Sequence, residues 1–185
     1  MISPTPPLAT SRHLGALATV AVAVALAGCA PTPAPTPTPT PTAAFASEEE
    51  AFAAAEATYR AYTDALNSVD LSNPDTFEPV FDLTSGDFEA ADRQTLSQLH
   101  AKDYAFTGQM AVVGFDGISA EAPFEEVEAA VCVDVSGSDV VDPSGNPVTP
   151  SDRPDLNQLR VTFIVSDGRM LVDRADRDAD VACAG

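Results

Sequence analysis

The sequence predicts a single α+β domain, with helices first and about four antiparallel strands after them. Three observations indicate this class. The chain has 185 residues, which leaves room for one domain. Apolar residues recur with a period of about 3.6 over residues 47–102 and of about 2 over residues 104–174. Helices followed by a run of strands, without strict alternation, are typical of the α+β class.

The N-terminal segment, residues 1–28, is predicted to be a signal peptide. Arg12 and His13 form a short polar edge, and residues 14–26 are an uncharged apolar run. That run is shorter than the roughly 20 residues that a transmembrane helix needs. Its length fits the hydrophobic region of a signal peptide instead.

The apolar run ends in Leu26, Ala27, Gly28 and Cys29, which resembles the lipobox of bacterial lipoproteins. The resemblance implies cleavage before Cys29 and attachment of diacylglycerol to its thiol. The mature protein is then expected outside the cytoplasm, anchored by lipid to the outer face of the cell membrane, since two acyl chains suffice for stable anchoring. The alternative is an ordinary secretory signal, or an N-terminal anchor with an incidental cysteine.

Residues 29–44 are predicted to be a linker between the lipid and the folded domain. Every second residue from Pro31 to Pro41 is proline, and most of the residues between them are threonine. Alternate prolines favour polyproline II geometry, which has no internal hydrogen bonds. This segment is therefore expected to act as an extended spacer.

The chain is strongly acidic. It has 28 Asp and Glu residues against 9 Lys and Arg residues, for a formal net charge of -19. A surface of this sign repels a phosphate backbone, so nucleic acid is excluded as a partner. It also repels an anionic leaflet, so the lipid is expected to hold the protein at the membrane.

The first predicted helix begins after Ser47. Ser47 and Glu50 fit a capping box, in which both side chains accept hydrogen bonds from N–H groups that the first turn leaves unpaired. An apolar stripe follows at spacings of three and four residues, which predicts a buried helix face. The stripe consists of Phe52, Ala55, Tyr59, Tyr62, Leu66 and Val69. The helix is expected to end before Asn73, because Pro74 disfavours helical backbone there.

Two shorter helical segments are predicted next. Residues 76–83 form a short helical turn interrupted by Pro79, and Asp87 caps a helix that ends near Lys102. His100 lies at the end of this helix. Its imidazole is expected to cap the helix or face solvent, with a general-base role as the alternative.

Four strands are predicted after residue 103. Their bounds are residues 104–113, 126–135, 159–165 and 170–174. In the second strand, the odd-numbered residues from Val127 to Val135 are apolar, which predicts one buried face. Asp167 and Gly168 predict a tight hairpin between the last two strands, and residues 139–150 a polar loop.

The cysteines predict one disulfide. When lipid occupies Cys29, the remaining pair is Cys132 and Cys183. An even number of cysteines outside the cytoplasm favours a disulfide, which here would tie the C-terminal tail to a strand. Two buried free thiols are the alternative. No metal site is predicted, because neither cysteine has a second Cys or a His at ligand spacing.

The order and length of these elements resemble the NTF2-like fold, also called SnoaL-like or cystatin-like, in which a curved sheet wraps a long N-terminal helix. The resemblance covers residues 45–185. Residues 59–62 and 83–87 also resemble actinobacterial lipoproteins of uncharacterised function that join such a domain to a Pro/Thr spacer. We therefore expect the N-terminal helices to pack inside a curved antiparallel sheet, forming a cone.

The resemblance also suggests what the cone could do. Tyr59, Tyr62 and Asp134 are expected to line it. Some NTF2-like proteins are isomerases, dehydratases or cyclases that shuttle a proton on an Asp or a His in the cone, so these side chains are acid and base candidates. Nothing in their spacing requires catalysis, and the sequence has no nucleophile motif or phosphate-binding loop. No catalytic residue and no cofactor is assigned.

The functional prediction is a lipid-anchored, non-enzymatic envelope protein whose cone binds a small apolar ligand or an envelope protein. The alternatives are a SnoaL-like isomerase or lyase and a structural envelope lipoprotein. The interior of the cone discriminates between them. A cone filled by Phe52, Tyr59, Phe106 and Phe163 would exclude both the enzyme and the small-ligand version.

Overall fold

The computed structural model describes residues 44–183. The predicted signal peptide, the lipobox Leu26, Ala27 and Gly28, the lipidated Cys29 and the Pro/Thr linker lie outside the described residues. Among the helices of residues 44–183, none combines the length and the apolar character needed to cross a bilayer.

Helix α1 spans Glu48–Asn67 and begins with the predicted capping box. The Ser47 hydroxyl accepts a hydrogen bond from the Glu50 N–H at 3.2 Å, and the Glu50 carboxylate accepts one from the Ala46 N–H at 2.8 Å. The Glu50 carboxylate therefore bonds to the N–H of Ala46, one residue before the N-cap, and not to the N–H of Ser47 itself as in a standard capping box. The helix ends six residues before Asn73, because the backbone N–H of Ser68 turns back to the carbonyls of Ala65 and Leu66.

A 3-10 turn at Pro74–Phe77 leads into the short helix α2, Glu78–Phe81. The expectation that Pro79 interrupts this segment was wrong. Pro79 lies in the first turn of α2, where the N–H that proline lacks has no helical partner to lose. Helix α3 spans Gly86–Ala101, with Ser85 at the N-cap position and the predicted cap, Asp87, inside the first turn.

The main sheet has four antiparallel strands in the order β2-β3-β5-β6. They are β2, Ala111–Ser119; β3, Glu126–Asp134; β5, Leu156–Ser166; and β6, Arg169–Arg177. The α+β prediction is confirmed. The tight hairpin is confirmed too, since Asp167 and Gly168 both have positive φ, 51° and 75°, between β5 and β6.

The first predicted strand is two strands. Strand β1, Ala105–Thr107, lies outside the main sheet. It pairs with β4, Asp139–Val141, which lies inside the segment expected to be a polar loop. Gly108 breaks the strand with a φ of 71°. Alternating residues cannot reveal such a break, because both pieces keep the same period.

The core lies between α1 and one face of the main sheet. The face predicted to be buried on β3 is confirmed, with Val127, Ala129, Val131, Val133 and Val135 all at most 5% exposed. On the helix side, Ala51 and Ala55 have no exposed surface, and small side chains there let α1 approach the sheet closely.

The C-terminal tail crosses the outer face of the main sheet. Cys132 of β3 and Cys183 form a disulfide, with their Cα atoms 5.7 Å apart. The tail is held along its length by three further contacts. These are the Asp178 N–H to the Gln158 carbonyl at 3.0 Å, Gln158 Nε2 to the Val181 carbonyl at 2.6 Å, and the Arg160–Asp178 ion pair at 2.8 Å.

Candidate functional site

Aromatic side chains fill the centre of the cone. Phe163 of β5 has no exposed surface and Tyr59 is 4% exposed. Their ring centroids are 6.3 Å apart in an edge-to-face arrangement, and Phe115 lies 6.2 Å from Phe163 on the other side. Phe52 closes the same interior toward β2, since a Cβ at Gly117 would lie 2.6 Å from its ring. Little room remains for a substrate among these rings.

One carboxylate lies beside the two core tyrosines, and it is Asp92 of α3. The Tyr62 hydroxyl donates a hydrogen bond to Asp92 Oδ2 at 3.0 Å. Burial raises the pKa of Asp92 from 3.8 to about 6, and the bond from Tyr62 lowers it only in part. Burial and the nearby Asp92 charge raise the pKa values of both Tyr62 and Tyr59. Tyr59, Tyr62 and Asp92 thus form a buried cluster, in which the Tyr62–Asp92 hydrogen bond joins α1 to α3.

The prediction that Asp134 lines the cone was wrong. Asp134 lies on the outer face of β3, in the same alternating row as Cys132, and accepts hydrogen bonds from the Ser136 N–H and hydroxyl at 2.8 and 2.7 Å. These bonds lower its pKa. Sequence reasoning missed Asp92, although Phe88, Asp92 and Leu96 at spacings of four place a carboxylate within an apolar helix stripe.

His100 has a structural position. Its Nδ1 lies 2.6 Å from the carbonyl oxygen of Leu71, and its ring packs edge-to-face against Phe77 with centroids 6.4 Å apart. The imidazole therefore joins the end of α3 to the segment that follows α1. His100 follows Asp92 by eight residues on the same helix, but its contacts are with Leu71 and Phe77 and not with the Tyr62–Asp92 pair.

Asp92→Asn is expected to stabilise the protein at pH 7 by about 2 kcal/mol and to have little effect at pH 4. The pKa of Asp92 is higher in the folded protein, so the folded state binds more protons than the unfolded state between pH 3.8 and about 6. Wild-type stability therefore falls as the pH rises through that window. The full difference corresponds to about 3 kcal/mol, which partial solvent exposure of the carboxyl reduces to about 2.

Urea unfolding of both proteins at the two pH values measures this difference. Asp64→Asn is the matched control, because Asp64 is exposed on α1. An equal effect of Asp92→Asn at pH 4 and pH 7 would show that ionisation of Asp92 carries no cost in the fold.

An open apolar cavity lies away from the cone centre, at the C-terminal end of α1. We call it the end cavity. Its volume is about 150 Å³. Helix α1, the β1–β2 connection and β4 supply its wall, and Arg153 closes one side. It is lined by Leu66, Asn67, Val69, Phe106, Thr107, Gly108, Met110, Ser138, Asp139, Val140 and Arg153.

Asn67 fixes the position of one wall of the end cavity. Its amide Nδ2 donates to the carbonyl of Met110 at 2.9 Å, and its Oδ1 accepts from the Met110 N–H at 2.9 Å. The side chain thus pairs with the backbone as a neighbouring strand would. On the far side of Asn67 and Met110 lies an open polar groove, lined also by Arg60, Asp64 and Gln109.

The polar part of the end cavity contains two opposite charges. Arg153 Nη2 donates to the carbonyls of Val135 and Ser138 at 2.8 and 2.6 Å. A hydrogen bond with Thr149 and the nearby Arg153 charge lower the pKa of Asp139. Asp139 is therefore a carboxylate at neutral pH, near the Arg153 guanidinium. Over residues 44–183, no cluster of three or more His, Cys, Asp or Glu side chains is arranged to hold a metal ion.

Comparisons with known proteins show a shared architecture. No family model matches the chain, and no curated protein matches its sequence. A candidate aromatic ring hydroxylase from Novosphingobium aromaticivorans is 15% identical, with a TM-score of 0.51 over 71% of this chain and 90% of that chain. That likeness shows a shared α+β fold, with helices packed on a four-stranded antiparallel sheet as the sequence predicted.

Two further solved structures are similar over most of their length. The intermembrane space region of the chloroplast protein ARC6 is 12% identical, with a TM-score of 0.47 over 68% of this chain and 95% of that chain. An LEH-like epoxide hydrolase of M. tuberculosis is 15% identical, with a TM-score of 0.33 over 70% and 82%. At these identities the likeness carries no activity over to this chain.

Proposed function

We propose that this protein is a lipid-anchored, non-enzymatic binding module outside the cytoplasm, and that its end cavity takes a small apolar ligand. One observation carries the binding proposal. The centre of the cone is filled by Tyr59, Phe115 and Phe163, whereas the end cavity is open and has a mostly apolar wall. Ligand sites of this kind are concave and apolar, with few polar groups.

The proposed location rests on the sequence. Leu26, Ala27 and Gly28 before Cys29 support lipid attachment, and the alternating prolines after it support a spacer. All 28 Asp and Glu residues of the chain lie after residue 47, so the domain itself has no attraction to an anionic leaflet. The lipid would therefore set the location, and the domain would remain free to bind.

Cys29→Ser is expected to abolish lipidation and release the protein from the membrane fraction. The thiol is the acceptor of the lipid, and serine cannot replace it. Bacteria expressing each variant are labelled with radioactive palmitate and fractionated. Cys183→Ser is the control, since it changes another cysteine and should keep both the label and the membrane location. Label retained by Cys29→Ser would refute the anchor.

Val140→Phe is expected to abolish ligand binding in the end cavity, because the added ring volume fills much of its 150 Å³. Toluene is the probe. The readout is NMR of methyl-labelled methionine in the full chain carrying Cys29→Ser. Met110 lies in the cavity wall, and Met170 is a buried core residue that serves as internal reference. Toluene should shift the Met110 methyl signal in the unfilled cavity and leave Met170 unchanged.

Val148→Phe is the matched control for the filled cavity. Val148 is 40% exposed, and its N–H bonds to the Val140 carbonyl at 2.8 Å, so it lies in the same segment but outside the cavity wall. This variant should keep the Met110 response. A toluene response that survives Val140→Phe would place binding elsewhere. If toluene shifts the Met110 signal neither in the protein with the unfilled cavity nor in Val148→Phe, the binding function is refuted.

An isomerase or lyase is the second candidate, and the Tyr62–Asp92 pair favours it. A buried carboxyl with a pKa of about 6 beside tyrosine hydroxyls could serve as a general acid or base. The packed rings around Tyr59 leave its substrate no evident place. If the protein catalyses an isomerisation or elimination, and Asp92→Asn abolishes that activity while the fold stays intact, the enzymatic function is favoured over binding alone.

A further inference from the structure

We propose that the end cavity selects a neutral molecule of one-ring size that carries a hydroxyl group, such as a phenol or a small cyclic alcohol. This inference rests on the proposed binding function and specifies its ligand class. It follows from the apolar wall around Phe106 and Met110 together with the opposed charges of Asp139 and Arg153 in one small cavity.

The size of the end cavity sets the size of the ligand. Apolar cavities of about 150 Å³ in protein interiors bind a single benzene ring. The end cavity has the same volume, about 150 Å³. A long acyl chain or a fused polycyclic molecule would have to project into solvent.

The apolar wall favours a ring over a polar solute. Leu66, Val69 and Val140 supply aliphatic surface, and Phe106 supplies an aromatic face. The thioether of Met110 is polarizable and makes favourable contacts with aromatic rings. Burial of the ligand's apolar surface is therefore the main source of affinity.

The charged side of the cavity argues against an ionic ligand. Arg153 uses Nη2 for two carbonyls, and its Nε and Nη1 have no hydrogen-bond partner within residues 44–183. Asp139 accepts the Val140 N–H on Oδ1 at 2.7 Å and a hydrogen bond from Thr149, and the two oxygens of a carboxylate can accept further bonds. A carboxylate ligand drawn to Arg153 would meet the Asp139 charge, and an ammonium drawn to Asp139 would meet Arg153.

A hydroxyl group suits both charges. It can accept a hydrogen bond from the guanidinium and donate one to the carboxylate, and hydrogen bonds to charged partners are stronger than neutral ones. The net charge of -19 further opposes the approach of anions. The combination therefore favours a neutral donor and acceptor over either ion.

Four probes of one ring each test the inference: toluene, phenol, benzoate and benzylammonium. Each is titrated into the full chain carrying Cys29→Ser, with the Met110 methyl signal as readout and Met170 as reference. Phenol is expected to bind about tenfold more tightly than the other three, as one charge-assisted hydrogen bond predicts. In Asp139→Asn the advantage of phenol over toluene should shrink and benzoate should gain affinity, because the carboxylate charge is gone.

The outcomes separate this inference from the proposed function. Equal affinity for phenol and toluene, or tightest binding of benzoate or benzylammonium, would overturn the hydroxyl preference and leave the binding function standing. Absence of binding by all four probes would overturn both. The ranking of the four probes in the chain with native Asp139 decides the matter even where Asp139→Asn fails to fold.

Discussion

Removing the disulfide is expected to lower the free energy of unfolding by about 4 kcal/mol. Cys132 and Cys183 are 51 residues apart in sequence, and cross-linking a loop of that length restricts the unfolded chain by about this amount in the chain-entropy model. The variant is Cys132→Ala with Cys183→Ser, which avoids placing a hydroxyl at the buried Cys132. Urea unfolding under oxidising conditions measures the loss.

Chemical reduction provides the control for this prediction. Dithiothreitol should destabilise the protein with both cysteines by a similar amount and leave the double variant unchanged. The loss should also extend to the tail, because Val181 is buried and the Arg160–Asp178 ion pair depends on the tail's position. A double variant as stable as the protein with the disulfide would mean that the tail stays in place through its hydrogen bonds alone.

The long elements of the fold could be predicted because each of them repeats one signal along its length. The stripe that includes Tyr59 and Tyr62 determines the face of α1, and the odd-numbered valines of β3 determine its inner face. Asp167 and Gly168 specify a turn locally, since both residues accept positive φ. Periods and turns are properties of neighbouring residues, so the sequence shows them directly.

The site could not be predicted as well, because it depends on contacts between distant segments. Asp92 is one carboxylate among many acids, and only the packing of α3 on α1 distinguishes it through Tyr62. Asp134 was predicted to line the cone because it lies close to Cys132 on the same strand, yet strand alternation places it on the outer face. The sequence predicted that Tyr59 and Tyr62 line the cone, and in the structure both are buried among packed aromatic rings.

The end cavity also arises from a long-range contact. Strand β1 pairs with β4 in a separate two-stranded sheet. Phe106 and Val140 are partners in that pairing, and both line the cavity. The register between residues more than 30 positions apart is not visible in hydrophobic periods. Gly108 lies directly after β1 and separates it from β2, so this arrangement depends on Gly108.

Gly108→Ala is expected to destabilise the protein by about 3 kcal/mol and to abolish toluene binding in the end cavity. Gly108 has a φ of 71°, which costs a residue with a Cβ about 1 kcal/mol. A Cβ there would also overlap the backbone carbonyl of Gly137, and forced displacement of a packed backbone costs a further 1–3 kcal/mol, or about 2. The movement would separate β1 from the β3–β4 connection.

Gly145→Ala isolates the backbone cost, because it is the matched glycine in an open position. Its φ is 82°, yet a Cβ there meets no atom within 4 Å. Urea unfolding should therefore show a loss of about 1 kcal/mol for Gly145→Ala, and the Met110 response to toluene should persist. Equal losses for the two variants would mean that Gly137 yields easily to the new Cβ. In that case, the close backbone contact at Gly108 would not be what maintains the cavity, and Asn67 would have to do so through its two bonds to Met110.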